Sequence, residues 1–129
     1  MQKDEGLMPN YNTLQAGGTV TAIQPGDSIT LFNAEAPAAG QASISFATGY
    51  SPGGGPAHAI TFTIDYAAAP TAVMVIQGSN RDIDADYQTL YTSTSIQHDS
   101  YSDGGGYAYY RAKQISESGG QPVTVIAQR

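Results

Sequence analysis

The chain has 129 residues, with 5 Lys and Arg against 11 Asp and Glu, for a formal charge of −6 at neutral pH. That balance argues against nucleic acid and anionic membranes as partners, since both select clustered basic residues. The absence of Cys excludes disulfides, thiolate metal sites and cysteine nucleophiles. Charged residues make up 12% of the chain, about half the usual share, so polarity rests on Ser, Thr, Gln, Asn and Gly, and neutral faces are left that can pack on partners.

Residues 1–18 show no alternation and carry Gly6, Pro9, Gly17 and Gly18, which reads as an extended N-terminal arm. Its scattered apolar residues Leu7, Met8, Pro9, Tyr11 and Leu14 have no periodic element to bury them, and are the candidates for ordering against a neighbour. No apolar stretch follows Met1 to Gly6, as a signal peptide would require, and no run approaches the roughly 18 residues of a membrane span. A protein made and kept in solution is therefore expected, with residues 19–129 forming one domain.

The period of that domain is two. Thr19 to Ile23 and Ser28 to Phe32 alternate about a Pro25-Gly26 turn signal and predict a hairpin. Ala42 to Ala47 alternates Ser with apolar residues. Residues 48–56 form a Gly- and Pro-rich loop. Ile60, Phe62, Ile64 and Tyr66 share one face of the next strand, with Thr61, Thr63 and Asp65 on the other. Thr71 to Gly78 is nearly continuous apolar, as in a strand covered on both faces. A polar turn over Ser79 to Asp86 leads to a short strand, Tyr87 to Ser93. His98 to Gly106 reads as a loop, Tyr107 to Ile115 as an aromatic strand, and Val123 to Ala127 as the last strand. About eight strands with frequent turn signals, and no helical periodicity, predict an all-β antiparallel sandwich.

The order Thr71-Ala72-Val73-Met74-Val75-Ile76-Gln77-Gly78-Ser79-Asn80, Tyr87-Gln88-Thr89-Leu90, Tyr107-Ala108-Tyr109-Tyr110-Arg111-Ala112 and Gly119-Gly120-Gln121-Pro122-Val123-Thr124-Val125 carries a resemblance. It resembles the C-terminal half of small jelly-roll β-sandwich proteins of tailed bacteriophages, among them capsid decoration (cement) proteins and appendage modules, and covers about residues 57–129. The resemblance implies a jelly-roll-like sandwich and a virion structural role on the capsid exterior, reached through the host cytoplasm during assembly. Its implied partners are the major capsid protein and neighbouring copies of the chain, as a dimer or trimer. Where such modules carry Gly-Ser-x-Asp-Gly, this chain has Gly78-Ser79-Asn80-Arg81-Asp82 followed by an insertion, Ile83 to Asp86. Gly78 is read as allowing the turn conformation that ends its strand.

Chemistry-bearing groups are few. Asp82, Asp84 and Asp86 alternate as Ca²⁺ ligands can, but Tyr87 and Ser93 stand where an EF-hand loop needs Gly and Glu. A solvated acidic turn, partly neutralised by Arg81, is the favoured reading. His98 and Asp99 are adjacent in a segment whose neighbours point to opposite faces if extended, so an acid–base pair is not expected. No Gly-x-Gly-x-x-Gly occurs, and Gly49-Tyr50-Ser51-Pro52-Gly53, in a Gly- and Pro-rich loop with no helical pattern after it, is not a nucleophile elbow. No cofactor, metal or catalytic residue is expected. Nine Tyr against no Trp is the remaining oddity; Tyr50, Tyr101 and Tyr107, in or beside the Gly-rich loops, are candidate contacts. Those loops support an alternative reading as a tail or fibre module binding carbohydrate or a receptor.

Overall fold

The computed structural model describes residues 22–50, 58–116 and 120–129. The arm with Leu7, Met8, Pro9, Tyr11 and Leu14 lies outside them, as do residues 51–57 of the Gly-rich loop. Among the described residues eight strands run in chain order: β1 Ser28–Glu35, β2 Phe46–Ala47, β3 Ile60–Tyr66, β4 Val73–Ser79, β5 Gln88–Thr94, β6 His98–Asp103, β7 Tyr109–Ser116 and β8 Val123–Gln128. They form two four-stranded antiparallel sheets, ordered β1-β8-β3-β6 and β2-β7-β4-β5. The pairs nest, with β4 against β5, β3 against β6, β2 against β7 and β1 against β8. This is one long hairpin rolled up on itself, a jelly-roll-like winding.

The core lies between the sheets. Ile60, Phe62, Ile64 and Tyr66 of β3 alternate inward, and Val123, Val125 and Ala127 of β8 do the same beside them. Met74, Ile76, Tyr110 and Ala112 close the layer from the other sheet. Phe62 packs against Phe46 and Tyr110 at centroid distances of 6.2 and 5.8 Å. In β1 the alternation breaks. A register shift between Thr30 and Phe32 lets the successive residues Leu31 and Phe32 both face the core, as a bulge permits. Gln114, fully buried in β7, is satisfied: it accepts from the Tyr66 hydroxyl at 3.2 Å and donates to the carbonyls of Val73 and Ser116.

Three sequence expectations are corrected here. The Pro25-Gly26 turn forms, with Asp27 N donating to Gln24 O at 2.9 Å and Gly26 at φ +93°, but among the described residues it joins no strand pair, and residues 19–21 of the expected hairpin lie outside them. β1 pairs instead with β8, while Ile23 N donates to Ala47 O in the opposite sheet. The strand expected over Ala42 to Ala47 shrinks to β2 plus a bridge from Ala42 to Lys113. His98 to Asp103 is strand β6, not loop: every residue of it pairs with β3. Its inward positions are Asp99, Tyr101 and Asp103, polar residues that hydropathy alone assigns to solvent.

Candidate functional site

Two arrangements concentrate the molecule's polar chemistry. The first is on the outer face of the β2-β7-β4-β5 sheet. Gln77 of β4 and Arg111 of β7 are cross-strand neighbours, and although they point away from the core both are buried, at 7% and 8% exposure. The cover is the 80–87 connection, folded back through a 3-10 turn, Asp84–Asp86. Arg111 holds it: its guanidinium bonds Gln77 Oε1 and Asp84 Oδ1, each at 2.8 Å, and lies 4.0 Å from the centroid of the Tyr87 ring. The Arg111 bond and charge keep the Asp84 carboxyl below its ordinary range. Burial, with a bond to Asp82, pushes the Tyr87 phenol up.

The three aspartates therefore serve three masters. Asp82 accepts from Tyr87 Oη at 2.7 Å and Ser45 Oγ at 2.8 Å, Asp84 pairs with Arg111, and Asp86 accepts from Arg81 Nε at 2.7 Å. The common face expected of an extended acidic segment is not formed, because the 3-10 turn fans the carboxylates apart. No three metal-ligating side chains converge among the described residues. Arg81 neutralises Asp86 as the sequence suggested; the role of Arg111 has no signal in local spacing.

Arg111→Met is expected to cost about 1–2 kcal/mol. It removes a stacked cation and leaves the buried Gln77 Oε1 without its Arg111 donor, whereas the exposed Asp84 regains water. Chemical denaturation checks the value, and amide exchange over residues 80–87 should quicken in the variant.

Beside this connection opens a cleft of ≈ 420 Å³, lined by Asn80, Arg81, Tyr87, Gln88 and Tyr107 among others. Gly78 shapes it. The residue lies inside β4 and has no positive φ, so the expectation that it serves a turn is corrected to a steric one. A Cβ there would stand 2.9 Å from both Leu90 Cδ1 and the Tyr107 ring. Ser79 makes the local turn, its hydroxyl accepting from Arg81 N at 3.1 Å and donating to Arg81 O at 2.6 Å. Asn80 instead accepts from Ala108 N across the cleft, at 3.3 Å.

The second arrangement is at the sandwich edge closed by β5 and β6. Asp103 accepts from Tyr101 Oη at 2.6 Å, from Gly105 N at 3.0 Å and from the hydroxyl of the fully buried Tyr110. Burial works against ionisation of Asp103, but the Tyr101 and Tyr110 hydroxyls and the Gly105 amide outweigh it, so its pKa falls below the ordinary value. Asp99 behaves alike: burial opposes its charge, and donors led by the Tyr91 hydroxyl, at 2.6 Å, prevail. Tyr101 is pushed up to about 12, by burial first and then by its bond to Asp103. These aspartates are ionised and these tyrosines neutral at pH 7, a set suited to recognition and rigidity rather than proton transfer near neutrality.

The candidate contacts separate. Tyr101 sits in β6, its ring packed on Phe62 and Tyr91 and its hydroxyl engaged, so it is part of the sandwich edge. Tyr107 is half-buried, lines the cleft and meets Tyr110 edge-on at 5.9 Å. Tyr50 is half-buried beside Thr48, whose Oγ1 accepts from its backbone amide at 3.1 Å. His98 Nδ1 lies 2.8 Å from Asp65 on β3, on the face opposite Asp99, and His58 is exposed.

No family model matches the chain, and no curated protein matches its sequence. Among solved structures it is similar to the crystal structure of the SPBc2 prophage-derived protein YomS, with a TM-score of 0.53 and 14% identity. The likeness covers 83% of this chain and 96% of that one. At that identity it establishes a shared fold.

Proposed function

We propose that this chain is a phage virion structural protein that decorates the outer surface of a capsid and stabilises the shell. The observation that carries the proposal is the jelly-roll-like winding of the whole sandwich, which a prophage-derived protein shares. Supporting it, the polar groups of the two arrangements are spent on one another, holding a rigid module. The charge of −6 suits an exterior position better than one facing packaged DNA. Modest contacts to the major capsid protein, repeated by shell symmetry and by neighbouring copies in a dimer or trimer, would give high avidity. The arm, with Leu7, Met8, Pro9, Tyr11 and Leu14, is the segment proposed to order against a neighbour.

Co-sedimentation with purified shells assembled without the protein tests this. Saturable binding at a fixed copy number is expected, and loss of binding on deleting residues 1–15 assigns the contact to the arm. Binding by both forms moves the contact to the sandwich, and binding by neither rejects decoration of that shell. The cleft favours one alternative. Tyr87 and Tyr107 rings beside the amides of Asn80 and Gln88 are the furnishings of a small polar site, so a tail or fibre module taking a neutral saccharide is the second reading. A protein that ignores shells, yet shifts its Asn80 and Gln88 side-chain NMR signals on addition of β-linked hexose trimers, would support it.

A further inference from the structure

Tyr91 and Tyr101 are the most closely stacked rings among the described residues, with centroids 4.8 Å apart and planes inclined by 9°. They come from consecutive strands that are outermost in different sheets, so the pair spans the side of the sandwich where β5 and β6 are not hydrogen-bonded to each other. Both are half-buried, whereas Tyr66 and Tyr110 are sealed in the core. Each hydroxyl donates to a carboxylate at 2.6 Å, Tyr91 to Asp99 and Tyr101 to Asp103. A phenol that loses an electron becomes a strong acid. A carboxylate already accepting its hydroxyl proton takes that proton over a preformed, charge-assisted bond. Proximity then sets the fate of two adjacent phenoxyl radicals, because the fixed pair replaces a bimolecular encounter.

We propose that Tyr91 and Tyr101 form an oxidative cross-linking site, in which a peroxide-driven one-electron oxidant joins them as dityrosine and staples the two sheets together. Each phenol gives up one electron to the oxidant and its proton to Asp99 or Asp103. The two radicals then form one carbon–carbon bond between ring positions ortho to the oxygens. In each ring the ortho hydrogen leaves carbon and oxygen regains a proton, restoring the phenol. The pair loses two electrons and two protons in all, and one hydrogen peroxide accepts them to become two waters. The cross-link would join two residues of one chain and is independent of what the module binds.

The test is to treat dilute protein with hydrogen peroxide and a haem peroxidase, then digest it and map the products by mass spectrometry. The expected result is blue dityrosine emission from monomeric protein, a mass lower by two hydrogens, and a peptide pair joined through Tyr91 and Tyr101. Tyr91→Phe and Tyr101→Phe should each abolish that pair, whereas Tyr109→Phe should leave it intact. Asp99→Asn should slow its formation several-fold, since the proton acceptor is gone. Dityrosine confined to dimers, mapping to Tyr107 and Tyr110, or surviving unchanged in Tyr91→Phe would overturn the proposal. If a variant loses its native amide spectrum, the mapped pair in the wild-type protein decides alone.

Discussion

Gly105→Ala is expected to destabilise the fold by about 2–5 kcal/mol, combining the cost of a left-handed residue with that of overpacking. Gly105 sits at φ +81°, and a Cβ built there would lie 1.9 Å from the carbonyl oxygen of His58. That oxygen belongs to the backbone and cannot rotate aside. The clash falls where the β6–β7 connection touches the chain entering β3, so relief means prising apart two connections of the roll. The neighbouring glycines supply the control. A Cβ at Gly104 or Gly106 meets nothing within 4 Å, and neither has a positive φ. Alanine at either should stay within about 0.5 kcal/mol of the wild type. Denaturant midpoints for the three variants check the ordering, and equal midpoints would contradict this account of the loop.

Asp103→Ala is expected to cost about 2–4 kcal/mol, because it strips an acceptor from three donors at once. Tyr110 is fully buried and cannot turn its hydroxyl to water; Tyr101 and the Gly105 amide lose their partner with it. Asp103→Asn keeps one carbonyl acceptor and should cost less. The same residue imposes a pH dependence. Its folded pKa lies below the ordinary 3.8, so the folded state binds this proton less tightly than the unfolded chain does. The stability it contributes is complete above that value and is lost as pH falls through the lower folded one. Tyr101 acts at the other end: its folded pKa is raised from 10.0 to about 12, so its contribution is lost as pH rises across that interval. Urea midpoints against pH should therefore fall at both extremes, with a shallower acid limb in Asp103→Ala. An unchanged acid limb would contradict the role given to this carboxylate.

The strands legible in the sequence were those whose alternation carries large apolar residues. Ile60 to Tyr66 buries every second residue, and Val73 to Ser79 is covered on both faces, as its apolar run implied. β6 escaped because its inward positions are Asp99, Tyr101 and Asp103, a polar set made tolerable by tyrosine hydroxyls that no local pattern reveals. The partner of β1 escaped for a different reason. A Pro-Gly turn signals a reversal, but not which strand lies alongside after it, and β8 is at the far end of the chain. The Arg111–Asp84 clamp likewise joins residues on separate elements, brought together when the β4–β5 connection folds over the sheet. The aspartate alternation was visible; its dispersal among Tyr87, Arg111 and Arg81 depends on a 3-10 turn where extended chain was expected. Tyrosine abundance was visible too. The division into packed Tyr101 and cleft-lining Tyr107 depends on which strand each joins.

The most direct test of the proposed function is an electron cryomicroscopy map of shells incubated with the protein. The account predicts added density on the outer surface, repeated at one class of symmetry position, into which the two-sheet sandwich fits as a rigid body. Shells with a bare exterior, or with the protein found on the tail or inside the shell, would contradict it.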